Sequence, residues 1–266
     1  MNILIPMAGA GQRFQDAGYT ISKPAIPTYD RRTGRLLPMV VCATLDLPGV
    51  RADGCNVIYV ERNFHRENGT EEKIQECFPK AKFIVTNQLT EGQACTCMLA
   101  KDLINNQEEL LIAGCDNGMV INQNRFLARK QEADVVVFTY RNNDSVLRNP
   151  NAYGWMKVDE QENIIGTSIK KAISNTPQKD HAVVATFWFR SGAQFVQATE
   201  KMIAENDRIN NEFYVDEVVK HALELGYRAK AFEIERYIGW GTPKDYEDYQ
   251  ATFEYWTGFL QSEQLQ

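Results

Sequence analysis

Apolar residues along the chain fall into short runs separated by polar, turn-forming stretches. Residues 2–7 (NILIPM) open the series and give way to Gly9-Ala10-Gly11, which predicts a buried strand leading into a turn. Similar runs stand at 56–61, 82–86, 110–114 and 134–140, with helix-like stretches at 38–46, 69–78, 92–104 and 122–131. Strands alternating with helices predict βαβ units and a mainly parallel sheet, so the fold class is α/β.

After residue 145 the pattern changes. Runs at 153–158 and 163–170 flank Asp159-Glu160-Gln161-Glu162 and predict a hairpin. A strand at 183–189, helices at 191–205 and 214–225, and a strand at 229–234 follow. The last helix is expected over 243–257, with Pro243 at its first turn. The Gln-rich tail beyond Leu260 is expected to fray.

Composition alters this picture little. The chain has 266 residues, 44% hydrophobic and 24% charged, and no internal repeat, which suits a globular domain with a sizeable core. A net charge of -6 argues against a general nucleic-acid binder but says nothing about one phosphate pocket. The first apolar run breaks at Pro6 and none approaches a membrane span, so a cytoplasmic protein without a membrane partner is expected. Among six cysteines only Cys95 and Cys97 are close, and neither His65 nor His181 completes a zinc pattern; free thiols are expected. The aromatic residues of the last helix (Tyr246, Tyr249, Phe253, Tyr255, Trp256) read as core, which leaves oligomeric state open.

Five segments can carry chemistry. In Met7-Ala8-Gly9-Ala10-Gly11-Gln12-Arg13-Phe14 the glycines bring backbone N–H groups close to a ligand, making an anion nest. Arg13 adds a fixed positive fork, and Lys23-Pro24 a point charge. Phe14 takes the third position of a dinucleotide glycine motif, and no GK[ST] follows, so a plain turn is the competing reading. Asp116, behind the strand 110–114, falls at a carboxyl sheet edge where Mg²⁺ with substrate phosphates fits, although a capped turn explains it equally well. Thr90-Glu91-Gly92-Gln93-Ala94 offers groups that could read a base edge or cap a helix. Asn211-Glu212-Phe213-Tyr214-Val215-Asp216 brings two carboxylates, and Trp240-Gly241-Thr242-Pro243 makes a turn.

In this order the segments resemble the sugar-1-phosphate nucleotidylyltransferase family (MobA-like NTP transferases) and its cytidylyltransferase relatives, from Met1 to about residue 250. The family pattern G-x-G-x-R-[FLM] followed by Lys-Pro is met by Gly9, Gly11, Arg13, Phe14, Lys23 and Pro24. The resemblance implies a Rossmann-like GT-A fold, a mixed sheet flanked by helices. It implies one domain over 1–266, with a nucleotide-binding half (1–145) and an acceptor-binding half (146–250). Arg13, Lys23 and Asp116 would be catalytic. Ala8, Gly9, Ala10, Gly11, Asn87, Thr90, Gly92 and Gln93 would hold the nucleoside triphosphate. Tyr153, Gly154, Lys171, Glu212 and Asp216 would hold a small phosphorylated acceptor, and Asp116 with Asp216 would bind Mg²⁺ or Mn²⁺.

The chain departs from the family on the acceptor side. Lys170-Lys171-Ala172 stands where Glu-Lys-Pro is usual, and Gly239 stands where D-x-G-T supplies a second metal Asp. These variant stretches resemble a capsule-associated branch that includes a CTP:phosphoglutamine cytidylyltransferase. CTP with a phospho-amino acid or other non-sugar phosphate, or with a sugar 1-phosphate, is therefore expected. A GT-A glycosyltransferase is the competing class, although Asp116-Asn117-Gly118 lacks the D-x-D it needs. A non-catalytic nucleotide sensor is another.

Overall fold

The run that opens the chain, β1 (Asn2–Pro6), is buried on both faces, Leu4 in one apolar cluster and Ile3 and Ile5 in another. A strand covered on both faces reads as continuous rather than alternating hydrophobicity. The computed structural model describes residues 1–263. After β1 come α1 (Gln12–Asp16), β2 (Pro27–Tyr29), β3 (Leu36–Pro38), α2 (Met39–Leu45), β4 (Val57–Arg62), α3 (Asn63–Glu67), α4 (Thr70–Gln75) and β5 (Lys82–Thr86). Next are α5 (Gln93–Met98), α6 (Lys101–Ile104), β6 (Leu110–Ala113), β7 (Asn117–Val120), α7 (Gln123–Glu132) and β8 (Val135–Tyr140). The remainder is β9 (Gly154–Val158), β10 (Ile164–Ile169), β11 (His181–Phe189), α8 (Gly192–Ala204), α9 (Val215–Glu224), β12 (Ala229–Glu233), β13 (Arg236–Gly239) and α10 (Pro243–Glu263).

The main sheet runs β10-β9-β11-β6-β1-β4-β5, with β8 and β12 attached through β11. It is parallel across β6-β1-β4-β5 and between β8 and β12. It is antiparallel wherever β11 pairs and within the β9–β10 hairpin. The sheet is thus more mixed than βαβ alternation predicts, because the nine-residue β11 enters its middle against β6, β8 and β9. Strands from before and after residue 145 share this one sheet.

The predicted elements are present with shifted ends, and the helix expected over 92–104 breaks at Leu99-Ala100 into α5 and α6. The pattern did not predict β7 and β13, which pair antiparallel with Gly239 opposite Asn117. Four-residue strands outside the main sheet leave little periodicity to read. Against the predicted fraying beyond Leu260, α10 continues to Glu263; the rest of that tail, residues 264–266, lies outside the described ones. Of its aromatics, Tyr246 and Tyr249 pack against the small cluster of Phe14, Ile26, Met39 and Trp240, and Phe253 stacks on Tyr29 at 4.7 Å. Tyr255 and Trp256 are exposed rather than core, because α10 outruns the β2–β3 hairpin beside it.

One close approach ties the halves together. The amide of Phe213 donates to the Glu91 carbonyl at 2.8 Å, and the amide of Ala94 donates to the Phe213 carbonyl at 3.0 Å. Between them Gly92 has φ +121°, and a Cβ there would lie 2.5 Å from both the nitrogen and the carbonyl oxygen of Phe213. Gly92→Ala is therefore expected to cost about 1–3 kcal/mol in strain alone, with a lower Tm and faster exchange of the Phe213 amide; unchanged values would contradict the close approach.

Candidate functional site

Parallel neighbours all end on the same side, so the carboxyl ends of β1, β4, β5 and β6 share one edge of the sheet. A cavity of about 630 Å³ lies there, lined among others by Ala8, Gly9, Ala10, Gly11, Thr90, Gly92, Gln93 and Asp116. Gly11 caps α1 with φ +67°, which its lack of a Cβ permits, and Phe14 is buried three residues on, 5.1 Å from Tyr19. Burying Phe14 fixes the loop, and Gly11 lets it turn. No acceptor takes the N–H groups of Ala8 to Gly11 among the described residues, so these donors remain for a ligand.

Lys23 and Asp116 meet at the cavity, Nζ to Oδ2 at 2.8 Å, with side chains 21% and 28% exposed. Burial alone would lower the Lys23 ammonium, but Asp116 more than reverses that and raises it above its usual range. Burial likewise pushes Asp116 up, and Lys23, with Arg13 behind it, brings it below the usual carboxylate range. Both groups are charged at neutral pH. The Arg13 side chain is exposed, its guanidinium forms no hydrogen bond or ion pair among the described residues, and Arg13 does not line the cavity. Its charge still acts on Lys23, Asp116, Lys170 and Tyr214. The β7–β13 ladder brings the Trp240 turn against Asp116, whose carbonyl accepts from the Trp240 amide at 2.9 Å. A Cβ at Gly241 would lie 3.1 Å from Asp116 Oδ2, so glycine keeps that flank of the carboxylate open.

The turn Thr90-Glu91-Gly92-Gln93-Ala94 and the segment from Ile209 to Asp216 form the other wall. Thr90 does not cap α5; Gly92 is the cap residue, and the Thr90 hydroxyl lies 2.5 Å from that of Thr96. The Gln93 amide lines the cavity without a hydrogen bond to the protein among the described residues. Asn87 is exposed and not in the lining. Ile209 and Glu212 exchange backbone hydrogen bonds at 3.0 Å around Asn210 and Asn211, at φ +52° and +64°. Asn tolerates that conformation, and the turn delivers Glu212 and Tyr214 to the cavity.

Beyond this wall, Asp216 in the first turn of α9 lies against Gly154, where a Cβ would fall 2.0 Å from Oδ1. Burial raises the Asp216 carboxyl to about 6, against smaller opposing effects of a backbone hydrogen bond and Lys170. Lys170, rather than Lys171, faces this group: it has φ +57°, donates to the Ala152 carbonyl at 2.5 Å and lies 5.7 Å over the Tyr214 ring. The left-handed turn directs it inward, and a reading of spacing could not separate two adjacent lysines. Lys171 has an exposed side chain, and its carbonyl accepts from Ser168. Tyr153 positions Lys170 through its carbonyl, 2.9 Å from the Lys170 amide, while its hydroxyl donates to Ser145. The structure does not pair Asp216 with Asp116: the first lies by Gly154 and Lys170, the second by Lys23 and Gly241.

Residues no motif singled out also line the cavity. Ala185 holds φ +56° inside an irregularity of β11, with its carbonyl accepting from Gly114 at 3.0 Å. Nothing in its apolar run signals this. Cys115 lines the cavity too, and burial pushes its thiol up to about 11, which keeps it from acting as a thiolate. All six cysteines are unpaired. Among the described residues, Glu205, His221 and Glu224 form a cluster of metal-ligand spacing, but Lys201 already pairs with both of its carboxylates. No helix among them is long and apolar enough to cross a membrane.

A glycine turn with free donors, a half-buried lysine–aspartate pair and a shared sheet edge define a nucleotide-binding α/β protein of the GT-A type. The chain belongs to the nucleotidyl transferase family, whose model matches residues 3–256. Its fold is similar to that of a nucleoside-diphosphate-sugar pyrophosphorylase from Vibrio cholerae RC9, at 19% identity and a TM-score of 0.71 over 93% of this chain and 98% of that one. It is also similar to HddC from Yersinia pseudotuberculosis complexed with GMP-PN (16% identity, TM-score 0.63, 95% and 99% covered). An inositol-1-phosphate CTP transferase from T. maritima matches at 14% identity and a TM-score of 0.64, with 92% and 90% covered. No curated protein matches the chain by sequence.

The Asp216 environment gives a sign for pH. A carboxyl raised to about 6 in the fold, against 3.8 ordinarily, binds its proton more tightly folded than unfolded. Ionising it therefore costs stability, which falls as pH rises between those values and stays lower above them. Asp216→Asn should gain Tm relative to wild type between pH 4 and pH 7.5; a constant difference would show that Asp216 is not so placed.

Proposed function

We propose that the protein transfers a nucleoside monophosphate from a nucleoside triphosphate, with CTP favoured, to a small phosphorylated acceptor, releasing pyrophosphate. The observation that carries this is the Lys23–Asp116 pair on a cavity that also receives the free N–H groups of the glycine turn. An acceptor phosphate oxygen attacks the α-phosphorus in line, and the bond to the leaving pyrophosphate breaks. Positioning and charge neutralisation then supply the catalysis, with no covalent intermediate on the enzyme.

Gly9 to Gly11, Arg13 and Lys23 hold the triphosphate, while Thr90, Gly92 and Gln93 face the base. Asp116 fits a divalent cation, since its carboxylate is held ionised and Gly241 leaves its flank open. Mg²⁺ or Mn²⁺ held there would neutralise charge on the phosphates. A second carboxylate at position 239 is absent, and Asp216 does not replace it beside Asp116, so the reading needs only one protein carboxylate on the metal.

Lys170, Glu212 and Asp216 mark the acceptor end. Two carboxylates beside one lysine suit an acceptor with both positive and negative groups, such as a phospho-amino acid, as well as a sugar 1-phosphate. CTP is favoured by the likeness to the capsule-associated cytidylyltransferases and by a structural relative that is itself a CTP transferase. The same likeness points to surface-polysaccharide or capsule precursor synthesis in the cytoplasm.

The test is pyrophosphate release from the four common NTPs with Mg²⁺, each against sugar 1-phosphates, phosphocholine-like compounds and phospho-amino acids. One pair should stand out, and Asp116→Asn should reduce its turnover at least about a hundredfold with the fold retained and Tm lowered, since Lys23 loses its counter-charge. Nucleotide binding without pyrophosphate from any pair would favour a sensor, and transfer from a nucleotide sugar a glycosyltransferase.

A further inference from the structure

His65 belongs to the cavity, yet no motif uses it. It stands in α3, directly after β4, and its ring is 1% exposed. The Arg62 backbone N–H donates to His65 Nδ1 at 3.2 Å. A neutral imidazole that accepts at Nδ1 carries its proton at Nε2. That nitrogen makes no hydrogen bond to the protein among the described residues. Burial, followed by the charge of Arg62, lowers the ring to about 4, so it remains a neutral donor at physiological pH.

The packing says which part of a ligand the ring faces. Ser22 Oγ lies 3.4 Å from Thr70 Oγ1 at the start of α4, which ties the α3–α4 segment to the turn carrying Lys23. The base-reading turn is bound to Phe213 on the other wall. His65, Ser22 and Lys23 line the same cavity, and this contact joins the segments that carry them, which sets His65 toward the end that the proposed function gives to the triphosphate.

We propose that His65 Nε2–H donates a hydrogen bond to the β- and γ-phosphates of the bound nucleoside triphosphate, and hence to the pyrophosphate that leaves. This rests on the nucleotidyl-transfer reading above. A neutral donor orients the tail without adding a charge that would retain the product.

Two substitutions separate this role from the structural one. His65→Asn keeps a side-chain acceptor near the Nδ1 position for the Arg62 amide and loses the cavity donor. His65→Gln keeps an N–H near the Nε2 position and loses that acceptor. Titration calorimetry on the full chain would use CTP, ATP, GTP and UTP with Mg²⁺, their monophosphates, and inorganic pyrophosphate. His65→Asn should weaken triphosphate and pyrophosphate binding about tenfold and leave monophosphate binding unchanged. His65→Gln should stay near wild-type affinity with a lower Tm. Equal losses for mono- and triphosphate, or unchanged triphosphate binding in His65→Asn, would overturn the proposal while the transfer reading stands. Failure of the wild-type chain to bind any triphosphate would overturn both.

Discussion

The ion pair between Lys23 and Asp116 joins residues 93 positions apart, and the site is arranged around it. Each partner would be costly to bury alone, because charge in a low-dielectric cavity needs a counter-charge. Together they stay ionised. Forming the pair requires the turn after the glycine loop to lie across the end of β6. That arrangement depends on Phe14, Ile26, Met39 and Trp240 packing into one small cluster beneath it. The apolar anchors therefore set the position of the charges, and the charges suit the cavity to phosphate.

Backbone constraints surround this centre. Gly92 lets the turn before α5 touch Phe213, Gly154 lets Asp216 approach the hairpin, and Gly241 leaves the flank of Asp116 open. Ala185 and Lys170 hold left-handed conformations without being glycine. Such strain costs of order 1–3 kcal/mol per residue and persists because the sheet and its two buried clusters hold the backbone in place. At Lys170 the outcome is chemical: the turn directs its ammonium toward Asp216 and Glu212 and leaves the neighbouring Lys171 in solvent.

The two ends of the site differ in charge. Neutral N–H donors gather with Lys23 and Asp116 by the glycine turn, and Glu212, Asp216 and Lys170 gather at the other end. Asp216 is raised to about 6 by burial, so its ionised form is held at a cost that a positively charged group could offset.

Local sequence determined the α/β class, most of the longer elements, the glycine turn with Lys23, and Asp116 at a strand end. These are legible because periodicity, turn residues and strand termini are properties of neighbouring residues. Tertiary structure decided the mixed sheet, the β7–β13 ladder that places Trp240 and Gly241 beside Asp116, and the separation of Asp216 from Asp116. It also decided which of two lysines turns toward Asp216, left Asn87 outside the cavity and brought His65 and Ala185 into it. Those outcomes depend on which strand lies beside which and on the sign of φ at single residues. Long-range packing sets both, and no local pattern records either.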